Sequence, residues 1–133
     1  MRSEFYGKGK VQIAFQGEAA LLRIDAATTQ TRRIKGLVAD FLRKEVAHVR
    51  AGFQPFEVRI WTSEAEPGRN HDVDNVAKAV LDALNGVFWR DDRQVVRLIS
   101  EKFQGERGRI AVLVRPLRKA LDPVDLDLGL FDL

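Results

Sequence analysis

The stretch RNHDVDNVAKAVLDALNG sets Asp72 and Asp74 two residues apart at the start of a helical apolar pattern, with Lys78 one turn further on. In an extended approach to a helix, alternate residues point the same way, so the two carboxylates can face one small volume. A helix that begins at about Asp74 carries Lys78 over the same face. A connector after the helix brings a second acidic pair, Asp91 and Asp92. Such hard oxygens can hold one or two Mg²⁺ or Mn²⁺ ions. The matching chemistry is phosphodiester hydrolysis. A metal lowers the pKa of bound water, polarises the phosphate and steadies the leaving oxygen, and a lysine beside it stabilises developing charge.

The same residues have plainer uses. Asp72 or Asp74 can cap the helix, for about 1 kcal/mol. Asp74 with Lys78, or Lys78 with Asp82, can be an ordinary pair one turn apart. Asp91-Asp92 can be only a turn, and His71 reads as a solvated loop residue.

The elements that must position these groups follow from periodicity. Lys10 to Gln16 alternates apolar and polar residues, and Ala19 to Ala26 can pair back on it across Gly17-Glu18 as a hairpin. From Thr31 to about Arg50 the apolar residues Ile34, Leu37, Val38, Phe41, Leu42, Val46 and Val49 follow helical spacing. Phe56 to Ser63 alternates again. Val76, Ala77, Val80, Ala83 and Leu84 form the stripe of a second helix, which Asn85-Gly86 should stop. Gln94 to Phe103 and Arg109 to Leu117 read as strands joined by QGERG. The order β-β-α-β-α-β-β predicts a single α/β (α+β) domain, with a mixed sheet and two main helices on one face. The domain spans 1–118, and an acidic, apolar tail, 119–133, is expected to be mobile.

Composition narrows the function. The 133 residues include no cysteine and only two histidines, His48 and His71, so thiolate and multi-histidine sites are excluded within one chain. No apolar run is long enough to span a membrane, and MRSEFYGKGK lacks a signal peptide's apolar core. The expected location is cytoplasmic, at the nucleoid during action. Residues 1–119 hold 22 bases against 15 acids, or +7, while all four later charges are aspartates. A basic body suits a polyanion such as DNA, through phosphate contacts that weaken with salt. Arg69 is the first candidate for such contacts because it flanks the acids. Arg32, Arg33, Lys35, Arg90, Arg93, Arg107 and Arg109 follow. Phe88 and Trp89 are either wedges for a DNA branch point or core residues.

The string HDVDNVAKAVLDALNGVFWRDDRQVV closely resembles the RusA family of Holliday-junction resolvases. The matching positions are Asp72, Asp74, Asn75, Lys78, Asp82, Ala83, Leu84, Asn85, Gly86, Trp89, Asp91, Asp92, Gln94 and Val95. The N-terminal third matches only in outline. The resemblance implies a homodimer that binds a four-way DNA junction and nicks two opposed strands symmetrically with Mg²⁺ or Mn²⁺. It assigns Asp72, Asp74 and Asp92 to the metal, with Asp91 as the alternative to Asp92. It makes Lys78 the catalytic lysine and gives Asn75 a supporting part. Asp82 would order the helix, through Lys78. The N-terminal hairpin is a candidate dimer element. Two other readings stand beside this one: a nuclease on flaps, forks or other branched DNA, and a non-catalytic junction-binding protein. In the tail, DLGLF resembles the Q-L-x-L-F peptide by which bacterial proteins dock on the replicative sliding clamp, with Leu128, Leu130 and Phe131 as anchors and Asp127 in place of the glutamine.

Overall fold

Alternation of apolar residues gives four of the five strands one buried face, against which two amphipathic helices pack. The computed structural model describes residues 4–7, 9–26, 31–46, 49–65 and 72–133, with the backbone alone at Thr31. The elements run β1 (Val11–Gln16), β2 (Ala19–Ile24), α1 (Thr31–Glu45), β3 (Phe56–Glu64), α2 (Val73–Leu84), β4 (Val95–Gln104) and β5 (Arg109–Pro116). Short 3-10 turns lie at Asp92–Gln94 and Leu128–Asp132. The order of elements is the expected one. No described helix is long and apolar enough to cross a membrane.

The sheet order is β1-β2-β5-β3-β4. β1 and β2 form the hairpin, with Gln16 opposite Ala19. Gly17 turns the chain with φ of 60°, while Glu18 keeps an ordinary negative φ. That pairing of angles is the signature of a II′ turn, which needs glycine at its first central position. β5, last in sequence, inserts between β2 and β3, antiparallel to both. β3 and β4 run parallel, so a crossover must join them, and α2 is that crossover.

The covered face presents Ile13, Leu22, Ile24, Val58, Ile60, Ile110, Val112 and Val114, all buried. Ile34, Val38 and Leu42 of α1, and Val76, Val80 and Leu84 of α2, close the same core. The opposite face carries paired charges instead. Arg59 meets Glu101 at 2.8 Å, and Glu57 accepts from both Arg97 and Arg115.

One expectation is corrected, and one open choice is resolved. α1 ends at Glu45 rather than near Arg50. Beyond it the backbone turns away to bond the connector after α2, with Gly52 N donating to Phe88 O at 2.9 Å. Phe88 and Trp89 are both buried, so neither can wedge into DNA. The tail ends in a hydrogen-bonded 3-10 turn, although its side chains are exposed throughout.

Candidate active site

α2 presents the candidate residues at its N-terminal end. Asp72 is the residue before its first turn, and its carbonyl opens the helical ladder by accepting from Val76 N at 3.0 Å. Its carboxylate makes no capping bond to the backbone. Instead Oδ2 accepts from Asn75 Nδ2 at 3.2 Å, while Asp74 Oδ1 accepts from Asn75 N at 3.0 Å. Asn75 therefore links the two acids, which is the supporting part expected of it. Asp72, Asp74 and Lys78 are all exposed, and Lys78 has no ion pair among the described residues. The positive end of the helix dipole lies beneath both carboxylates and favours their charge.

Ser100 fixes this end of α2 to the sheet, its hydroxyl donating to Val73 O at 2.9 Å. The next residue on that row of β4 is Lys102, paired with Thr62 of β3. Thr62 is fully buried, and its hydroxyl has no partner among the described residues. Ser100 and Lys102 escaped sequence reasoning. The missing signal is the tertiary placement of β4, which brings Ser100 against the start of α2 and Lys102 beside Thr62.

The other acidic pair stands at the opposite end of the helix. α2 has 12 residues, so it is about 18 Å long. Past it, Gly86 reverses the chain with φ of 83°, as the Asn-Gly signal predicts. Trp89 then drops into the core, its ring tilted against Phe56 at 5.6 Å between ring centres. Its indole N–H donates to Asp92 Oδ1 at 2.8 Å. Asp91 caps the following turn, accepting from Arg93 N at 2.8 Å and from the Arg93 guanidinium at 3.1 Å. Those bonds hold the Asp91 carboxyl below the ordinary carboxylate range and push Arg93 up. Gln94 closes the connector. Its carbonyl accepts from Arg90 N and Asp91 N, and its amide donates to Gly52 O and Gln54 O.

Within one chain, then, Asp72 and Asp74 come together, and Asp91 and Asp92 do not join them. Among the described residues no three acids or histidines are placed to hold a metal ion. Asp82 pairs with Lys35 of α1 at 3.5 Å rather than with Lys78, because the two helices pack side by side. Of the basic candidates, Arg93 is held by Asp91, Arg90 lies over the Phe53 ring, and Arg107 and Arg109 face Asp25. Arg32 and Arg33 are exposed on α1. Arg69, His71 and His48 lie outside the described residues.

Known sequences resemble parts of this chain. A Bacillus subtilis (strain 168) protein described as "Uncharacterized protein YqaN" is 47% identical over 49 residues, which are 37% of this chain and 34% of that protein. The chain thus spans about a third of the length of that relative. The family profile described as Endodeoxyribonuclease RusA matches residues 26–115, from the end of β2 into β5, with the acids, Lys78 and the whole α2 crossover inside the match. With well over half of its length matched, this chain belongs to the RusA endodeoxyribonuclease family.

Proposed function

We propose that the protein is a metal-dependent endodeoxyribonuclease that acts as a homodimer and resolves four-way DNA junctions by paired, symmetric nicks. One observation carries this reading. Asp72 occupies a capping position without capping, and it stands beside Asp74 with Lys78 a turn above, all open to solvent. An aspartate needed only for stability would bond the free amides of the first turn.

One chain alone does not fit a complete three-carboxylate metal site, because about 18 Å of helix separates the Asp72–Asp74 pair from Asp92. We assign the missing carboxylate to a second copy. β4 is an edge strand, and it exposes Val96, Leu98, Ile99 and Phe103. A long apolar edge is a ready surface for pairing with another chain. An antiparallel pairing about a two-fold near Val96 would bring the partner's Asp92 toward Ser100, against which α2 begins. Bound Mg²⁺ or Mn²⁺ would supply an activated water and charge neutralisation. The chain's own residues have separate tasks. Asp72 and Asp74 present hard oxygens, Asn75 orients them, and Lys78 offers a cation to the phosphate. Arg32 and Arg33 add contacts to the DNA backbone.

The test is cleavage of a labelled four-way junction beside a matched linear duplex, with Mg²⁺ or with EDTA. Wild type should nick the junction in symmetric pairs, only with metal, and Asp72→Asn should not. Equal cutting of the duplex would favour the looser branched-DNA reading. Tight binding with no nick under any metal would leave a binding protein. Mixing Asp72→Asn with Asp92→Asn protein tests the shared site. In a heterodimer one site keeps both wild-type acids, so single nicks should return. Continued silence from the mixture, with exchange of subunits demonstrated, would place each site within one chain.

A further inference from the structure

The tail carries an interaction that the nuclease reading does not use. Residues 118–133 are exposed along their whole length, and they lie past the family match, which ends at 115. Their hydrogen bonds among the described residues are internal. Asp127 N donates to Asp125 O at 3.0 Å, Leu130 N to Asp127 O at 3.1 Å, and Gly129 N to Asp127 Oδ1 at 2.8 Å. A Cβ at position 129 would sit 3.0 Å from Asp127 Oδ1, so the glycine leaves room for that cap.

In a 3-10 turn, side chains three apart eclipse. Leu128 therefore lines up with Phe131, and Leu130 with Leu133, while Gly129 and Asp132 take the third side. Leu128 is 81% exposed, and Phe131 and Leu133 are each 88% exposed. An apolar turn that is already formed loses little further freedom on binding. Its surroundings are acidic: Asp122, Asp125, Asp127 and Asp132, with no base after Lys119. The acidic tail leaves these apolar side chains uncovered although the body it is joined to is basic.

We propose that Asp127–Phe131 is a docking peptide for an apolar cleft with a basic rim on a separate protein. Leu128, Leu130 and Phe131 are the anchors, and the Asp127 cap presents them. The D-L-G-L-F order points to a clamp that takes Q-L-x-L-F peptides, so the occupied partner is the bacterial replicative sliding clamp. Asp127 replaces the glutamine and compensates by holding the turn. This inference stands whether or not the acids of α2 cut DNA.

The experiment titrates the full chain onto purified, immobilised bacterial sliding clamp, with wild type and a Leu130→Ala/Phe131→Ala double variant. Wild type should bind saturably below about 100 µM, and the variant should bind at least about 10-fold more weakly. A synthetic peptide of residues 122–133 should compete. Junction cleavage without clamp should be equal for the two proteins, which shows the variant is folded. Absence of wild-type binding by about 100 µM, or equal binding by the variant, overturns the proposal. So does sedimentation in which the double variant has lost only self-association, which would make a second copy the occupant.

Discussion

The two ends of α2 each carry a pair of aspartates, and the pairs do opposite work. At the start, the carboxylates of Asp72 and Asp74 bond only Asn75 among the described residues, and both face solvent. At the far end, Asp91 caps a turn and Asp92 holds a buried indole. A carboxylate that fixes the fold is recognised by the donor it satisfies. On the proposed reading the open pair serves the site alone, whereas Asp92 serves both the fold and the site of a second copy. The comparison predicts that substitutions at the start damage cleavage and spare stability, and that substitutions at the far end damage both.

The largest effect belongs to Asp74→Asn. Junction cleavage should fall by at least about 100-fold, while chemical unfolding shifts by less than about 0.5 kcal/mol, as for an exposed residue with no long-range partner. A stability loss as large as that at the far end would erase the distinction. Asp92→Ala comes next. It leaves the Trp89 N–H unpaired inside the core, so unfolding should show a loss of about 1–3 kcal/mol, with cleavage lost as well. If Asp92→Ala were as stable as wild type, the indole bond would have no structural weight. Ser100→Ala tests how the start of α2 is held. Loss of one exposed hydrogen bond should cost about 0.5–1.5 kcal/mol, and amide exchange should quicken in the first turn of the helix rather than the last.

The smallest effect is at Asp91. Its folded pKa lies below the ordinary 3.8 because Arg93 bonds its carboxylate. The pair's contribution is therefore complete above pH 3.8 and disappears as pH falls through the lower, folded value. Asp91→Asn should remove that acid-side slope from a plot of unfolding midpoint against pH between about 5 and 2. Arg93 is almost fully solvated, so the slope should also shrink in high salt. A slope unchanged in Asp91→Asn would assign the acid sensitivity to another carboxylate.

Local features were legible in the residues themselves. Alternation in VQIAFQ and AALLRI marks the hairpin, Gly17 marks its turn, and the apolar stripe of VAKAVLDAL marks α2. The Asn-Gly stop after Leu84 holds to the residue. Non-local features were not legible. Nothing in RIAVLVRP says that it enters between β2 and β3, because both neighbours lie far away in sequence. Spacing along α2 offers Asp82 a partner only at Lys78, whereas packing against α1 offers Lys35. The acids divided in the same way. Asp72 and Asp74 are close because they are two residues apart, while the distance to Asp92 depends on a whole helix whose direction relative to the strands is a tertiary fact.

The central place of β5 bears on how the molecule is made. This strand follows the other four in sequence, yet it joins the β1–β2 hairpin to the β3–β4 pair. At about 5–20 residues per second of synthesis, both of its neighbours are made seconds before it, so a seam between them waits to be filled. The seam closes only after Pro116 has emerged. A product truncated before Arg109 would lack the strand to which both halves are bonded. The acidic start of α2, mounted on the β3–β4 half, would then lack the sheet that braces it.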